Sequence, residues 1–224
     1  MKKGYIRLFK FSQTSPVFFV SKKNKSKRIV MDYHSLNEQT AKNNYPLPLI
    51  TDLISNMGSK TIFMKINLWW DFNNIRIKEG DEWKGAFIIH IGLFEPTVMF
   101  FGMTNSLAIF QTIINKILRV NKGKVAAFVD DILVETKIEK GHDEIIEKVL
   151  RRLKKNNLYI KPKKYIWKVR KIGFLGVIIG PNRIEIEKEK VDGVLSWPEP
   201  KNVKDNRKFL DLTNYYKRFI KDFT

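Results

Sequence analysis

Two adjacent carboxylates, Asp130 and Asp131, stand between the apolar runs Val125–Val129 and Ile132–Val134. A tight hairpin ordinarily turns on Asn-Gly or Asp-Gly, so a pair of acids there is the sharpest chemical signal in the chain. Like charges held that close repel, and a divalent cation between them is a natural reason for both. Adjacent acids are also what a solvated turn carries. Taken alone, the pair permits a metal without requiring one.

The elements that must position this pair are legible as alternation and spacing. Pro16 to Val20 and Arg28 to Tyr33 read as two strands joined by a Lys-rich turn, Ser21 to Lys27, which makes a basic-tipped hairpin. Pro46 and Pro48 mark a loop, and Leu49 to Met57 reads as a short helix. Thr61 to Leu68 alternates as a half-buried strand does, with Ile62, Met64 and Ile66 on one face. Arg76–Ile77 and Gly85–Ile91 read as further strands around the acidic turn at Glu79 to Glu82. Thr104-Asn105-Ser106 supplies N-cap chemistry for a helix whose apolar positions are Phe110, Ile113, Ile114, Ile117 and Leu118. Residues 143–155 make the clearest helix, with acids in its first turn and bases in its last. Strands at Tyr165–Val169 and Phe174–Ile179 follow, and from Lys188 the chain reads as helical around a break at Trp197-Pro198-Glu199-Pro200. The order is α+β, with antiparallel hairpins and a few packed helices.

Charge narrows the function class. The 224 residues include 42 Lys+Arg and 23 Asp+Glu, a net charge of +19. Residues 1–60 carry +8, residues 61–140 carry +1 and residues 141–224 carry +10, so the basic excess flanks a nearly neutral middle. Basic walls around an acidic centre suit a polyanion, and nucleic acid is the leading partner, ahead of an anionic membrane surface. A hydrophobic content of 43% is globular rather than that of a disordered basic tail. The absence of Cys excludes disulfides and Cys-ligated metal sites, and it fits a cytosolic or nuclear setting. No apolar run approaches the ~18 residues that span a bilayer, and the stretch after Met1-Lys2-Lys3-Gly4 is too short for a signal peptide.

Phe128-Val129-Asp130-Asp131-Ile132-Leu133 resembles the catalytic hairpin of reverse transcriptases. Five further stretches follow that family's order. Asp32 to Asn37 with Tyr45-Pro46-Leu47-Pro48 resembles its fingers, and Asn73 to Lys84 the stretch after its first catalytic strand. Phe101 to Gln111 resembles its template-side helix, and Phe174-Leu175-Gly176 its primer grip. Trp197-Pro198 with Tyr215 to Ile220 resembles the connection toward an RNase H domain. The resemblance covers essentially the whole chain and is nearest to the Ty3/gypsy class of LTR-retrotransposon polymerases.

That resemblance implies a right-hand polymerase fold of fingers and palm with the start of a thumb or connection, its antiparallel palm sheet packed on helices. Residues 1–60 would form the N-terminal part of the fingers and 61–180 the palm with interleaved fingers strands. Residues 181–224 would begin the thumb or connection toward an RNase H domain that, like an integrase, is expected in an intact polyprotein and absent here. The implied reaction adds dNTPs to a DNA primer on an RNA or DNA template. Two Mg²⁺ ions, with Mn²⁺ as the alternative, would activate the primer 3′-hydroxyl and stabilise the leaving pyrophosphate. Asp130 and Asp131 take the metal-ligand positions, Lys22, Arg28 and the sugar-gate Phe72 the nucleotide positions. Gly102, Asn105, Gln111, Leu175 and Gly176 take template and primer positions. An ammonium and a guanidinium fork suit a triphosphate, whereas Lys22 and Arg28 alone would read as solubility charges.

At the family's first catalytic Asp, however, this chain has Asn67. A neutral amide offers a metal no charge, and losing that ligand is expected to cost on the order of a thousandfold or more in rate. Asp71 replaces a Gly beside the incoming triphosphate and would repel it. Leu107, His34, Asp211 and the run Arg7-Leu8-Phe9 also depart from family motifs. Two functions are therefore expected: an impaired polymerase domain, or a degenerate relic that only binds template–primer. Either would act inside the cell, in a cytoplasmic particle or the nucleus.

Overall fold

A computed structural model describes residues 4–10, 14–21, 27–55, 57, 60–69, 72–119, 123–161 and 165–219. Lys22 and Asp71 lie outside the described residues, and Arg28 and Phe72 are described by their backbone alone. In chain order the elements begin with β1 (Ile6–Leu8), β2 (Val17–Ser21), β3 (Lys27–Met31), α1 (His34–Gln39) and α2 (Ile50–Ser55). Next come β4 (Ile62–Trp69), β5 (Phe87–Ile89), β6 (Gly92–Pro96), α3 (Ser106–Leu118), β7 (Val125–Phe128) and β8 (Asp131–Thr136). The chain continues through α4 (His142–Lys155), β9 (Tyr159–Ile160), β10 (Ile166–Val169), β11 (Ile172–Phe174), β12 (Val177–Gly180) and β13 (Arg183–Ile186). It closes with α5 (Lys188–Leu195) and α6 (Val203–Tyr216).

The central sheet has the order β10-β4-β8-β7, with β9 also paired to β4. All its pairings are antiparallel. Because strand side chains alternate, β4 divides its residues between two faces. Met64, Ile66 and Leu68 are buried in one core with Ile132 and Val134 of β8, Phe110 and Ile114 of α3, and Val149 of α4. Phe63 turns the other way, into a second core with Ile54, Leu133, Phe174 and Val177. Further along that second face come Lys65, Asn67 and Trp69. Helices α3 and α4 thus cover one side of the sheet, and the outer half of the other side stays open.

The basic hairpin is present as β2–β3, with Val20 opposite Arg28. Several expectations change. The expected strand over 85–91 is a 3₁₀ turn at Glu82–Gly85 followed by β5, which pairs with β6 and through it β1. Arg76 makes only an isolated bridge to Val98. The strand expected over 174–179 is interrupted by a turn in which Leu175 has φ 52° and Gly176 φ 81°. Asn105 does not cap α3 with its side chain. Its amide instead accepts from Asn43 N–H at 2.9 Å and donates to the Ala41 carbonyl at 2.8 Å. Arg76 and Asn105 are claimed by partners distant in sequence, which a local pattern does not encode.

Glu135 belongs to the second face of β8, only 4% exposed, and its Oε2 has no hydrogen-bond partner among the described residues. Burial pushes its carboxyl up to about 7, against the opposing pull of Lys60. Between the ordinary glutamate value and about 7, the folded protein holds a proton that the unfolded chain has released. Stability therefore falls as pH rises through and beyond that window, by on the order of 3 kcal/mol in all. Glu135→Gln removes this loss. Thermal denaturation across a pH series is expected to show the variant more stable than its parent at pH 8 and equal to it near pH 4.5.

Candidate active site and nucleic-acid face

The β4–β8 register sets Asn67 directly opposite Asp131, and Lys65 opposite Leu133. Lys65 and Asn67 share a face, so both reach the same carboxylate. Asn67 Nδ2 donates to Asp131 Oδ1. Lys65 Nζ lies 3.2 Å from Asp131 Oδ2, with both side chains about one-fifth exposed. One oxygen of Asp131 thus meets an amide N–H and the other an ammonium. Asp130 is half-buried in the turn, and its backbone carbonyl accepts from Leu68 N–H at 2.9 Å.

The turn is held under strain. Phe128 pairs with Asp131, leaving Val129 and Asp130 as its central residues. Val129 sits at φ 52°, a first-position geometry that two-residue hairpins ordinarily give to Gly. A β-branched residue there costs on the order of 1–3 kcal/mol unless its surroundings impose it. Gln111 imposes it. Fully buried on α3, its Oε1 accepts from Val129 N–H at 2.8 Å, and its Nε2 donates to the Ala127 carbonyl at 3.0 Å. The same Nε2 donates to Asn115 Oδ1 at 2.9 Å, and Asn115 Nδ2 donates to Tyr45 Oη at 2.9 Å. Gln111, expected to contact template, therefore contacts the carboxylate hairpin instead. Its burial leaves it no surface for a strand.

The other expected residues form two flanking segments. At Gly102, φ is 102° and an added Cβ would lie 3.4 Å from the Met31 carbonyl. Asn37 locks this segment to α1, donating to the Gly102 carbonyl and accepting from Thr104 N–H, both at 2.8 Å. On the far side, the Leu175–Gly176 turn is braced by α6. Tyr215 Oη donates to the Leu175 carbonyl at 2.7 Å, and a Cβ on Gly176 would meet Tyr216 Oη at 2.9 Å. Lys65 links this turn to the carboxylates, its Nζ lying 5.8 Å from the Phe174 ring centroid. Sequence reasoning missed Lys65 and Asn115. Lys65 could have been found from the period-two spacing that places it beside Asn67, whereas nothing local marks Asn115.

The donor set does not fit two divalent ions. Among the described residues no three His, Cys, Asp or Glu side chains gather into a metal-binding group. Of the two carboxylates, Asp131 is already neutralised by a protein cation. Asn67 also removes the like-charge repulsion that an acid opposite Asp131 would create. Asn67→Asp is therefore expected to lower the metal-free melting temperature by several degrees and to make it rise again with Mg²⁺ or Mn²⁺. The parent chain should melt at the same temperature with and without these ions, as differential scanning calorimetry would read.

Residues 20–179 match the family described as reverse transcriptase (RNA-dependent DNA polymerase). The chain is 39% identical over 221 residues to the transposon Tf2-3 polyprotein of Schizosaccharomyces pombe, and equally so to the Tf2-7 polyprotein. That span is 98% of this chain and 17% of each polyprotein. Among solved structures, a foamy viral protease–reverse transcriptase in complex with dsDNA matches with a TM-score of 0.90 at 23% identity, covering 100% of this chain and 47% of that one. The same viral protein in complex with an RNA/DNA hybrid matches with a TM-score of 0.84 at 23% identity, covering 96% and 29% of the respective chains. These likenesses extend to the fold.

Proposed function

Since the chain belongs to the reverse transcriptase family, as a domain of the LTR-retrotransposon type, we propose that it holds template–primer nucleic acid but extends a primer poorly or not at all. The observation that carries this reading is the closed contact of Asp131 with Asn67 and Lys65. The family is RNA-directed DNA polymerase, and its divalent ions polarise the primer hydroxyl and the leaving phosphate when bound. Asp130 and Asp131 would be the ligands here, with Asn67 in the third position. Asn67 and Lys65 compete for the carboxylate that the ions need. Loss of that stabilisation lowers the rate on the order of a thousandfold or more.

The binding half of the proposal rests on charge and shape. Residues 1–60 and 141–224 carry +8 and +10 around a nearly neutral centre. In this reading residues 1–60 contribute fingers, 61–180 the palm with interleaved fingers strands, and 181–224 the start of a thumb or connection. Gly102, Asn105, Leu175 and Gly176 would track the duplex, while Lys22, Arg28 and Phe72 would meet an incoming dNTP. The complexes of the foamy viral protein with dsDNA and with RNA/DNA hybrid support the choice of ligand. No described helix is long and apolar enough to cross a membrane, and we place the site of action in a cytoplasmic particle or the nucleus.

Primer extension and equilibrium binding separate the two halves. The parent chain is expected to bind an RNA–DNA hybrid with an affinity that falls steeply, roughly 10²-fold or more, between 50 and 200 mM salt. Asn67→Asp combined with Asp71→Gly should raise extension by at least 10²-fold without tightening binding comparably. Extension by the parent at the rate of the double variant would overturn the impairment. Absence of hybrid binding at low salt would overturn the binding.

A further inference from the structure

Beyond Asn67 the open face of the palm sheet carries two large aromatics in register. Strand β4 is flanked on both edges there: Asn67 pairs with Asp131 of β8 on one edge, and Leu68 and Trp69 pair with Ile160 and Tyr159 of β9 on the other. Side-chain alternation puts Trp69 on the Asn67 face, and Tyr159, directly opposite, on the same side. Trp69 is 47% exposed and Tyr159 61% exposed. The buried residues of this strand nearest to them, Ile66 and Leu68, are fully covered on the opposite face.

The platform has a fixed backbone and a cationic border. Asn74 Nδ2 donates to the Trp69 carbonyl at 2.8 Å, and Lys161 N–H donates to the Asn67 carbonyl at 2.9 Å. Lys161 follows Tyr159 by two residues and supplies that cation; Pro162, Lys163 and Lys164 lie outside the described residues. Trp69 stands one pleat repeat, ~7 Å, from Asn67 along the strand. That length is comparable to one nucleotide step of an extended strand. Exposed aromatic faces beside lysines are how proteins hold unpaired bases, the ring stacking on the base while the cations meet the phosphates.

We propose that Trp69 and Tyr159 form a stacking platform for an unpaired base of a single nucleic-acid strand, beside the carboxylate pair. The inference rests on the reading that this chain binds nucleic acid, and it adds a base-contacting site on the palm. It needs no metal and no polymerisation. A flat π-face accepts any base, so the site is tolerant of sequence, and purines gain more than pyrimidines by their larger area.

The test compares a single-stranded oligodeoxynucleotide of about 10 nucleotides with an abasic strand of equal phosphate number, read by fluorescence anisotropy and by tryptophan quenching. Trp69→Leu and, separately, Tyr159→Leu are expected to weaken the base-bearing strand roughly tenfold and to leave the abasic strand unchanged. Trp69→Phe and Tyr159→Phe should retain most of the affinity. Exposure of both rings predicts unaltered thermal denaturation, and agreement between the two Leu variants guards against a misfolded one. Equal weakening of both strands, or weakening of neither, overturns the platform. Free dATP bound with the same sensitivity to both Leu variants also overturns it, since the occupant would then be a nucleotide rather than a strand. If the parent chain binds neither strand at low salt, the platform fails, and the nucleic-acid reading fails with it only where the RNA–DNA hybrid is not bound either. If it binds both equally, that reading stands and the platform alone fails.

Discussion

The antiparallel register of β4 on β8 fixes what every polar group at the centre of this molecule can reach. Because Asn67 faces Asp131 across the ladder, and because residues two apart share a face, Lys65 and Asn67 converge on one carboxylate. A slip of one residue would turn Lys65 and Asn67 into the helix-packed core and bring Met64, Ile66 and Leu68 out to the open face. The packing of Phe110, Ile114 and Val149 against those three side chains therefore secures the chemistry of the opposite face. A carboxylate at position 67 would make the same register repulsive, and its relief would require a cation. With an amide there, the sheet is electrostatically complete by itself.

The hairpin depends on a second constraint. Val129 occupies a backbone conformation that its side chain disfavours, and the conformation persists because buried Gln111 has one best arrangement for its amide. Leaving either end of a buried amide unpaired costs more than a surface hydrogen bond contributes. The hydrogen bond from Asn115 to Tyr45 carries this order outward to the segment between α1 and α2. The turn at Leu175–Gly176 is imposed in the same way, by Tyr215 and Tyr216 from α6. In both places a strained turn near the carboxylates is held by a helix distant in sequence. The carboxylate hairpin and the turn facing it are thus both fixed by helix side chains.

The chain spans about one-sixth of the length of the Schizosaccharomyces pombe polyproteins that it matches. Within that span the charge is arranged rather than uniform, and the basic flanks lie on either side of the sheet residues that form the site. Electrostatic attraction of a polyanion needs no catalytic acid, so binding and catalysis are separable properties of the same fold.

Much of this was legible in the residues alone. The alternation at Met64 and Ile66, the spacing at Ile145, Ile146, Val149 and Leu153, and the acids between two apolar runs identified the main strands, the longest helices and the carboxylate hairpin. Ordered motifs carried the family, and the identity of residue 67 was plain as soon as they were aligned. Short elements such as β1 and β9 escaped, because strands of two or three residues are stabilised by partners far away in the chain. The roles of polar side chains escaped for the same reason. Asn105 resembles a helix cap and Gln111 a template contact until distant backbone groups claim them. The sequence by itself determined which acids were present, which was missing, and where the positive charge lay. Only the tertiary structure decided that Asp131 would be neutralised by Lys65 and Asn67, and that Trp69 and Tyr159 would stand exposed beside it, because cross-strand register is set by packing over the whole sheet.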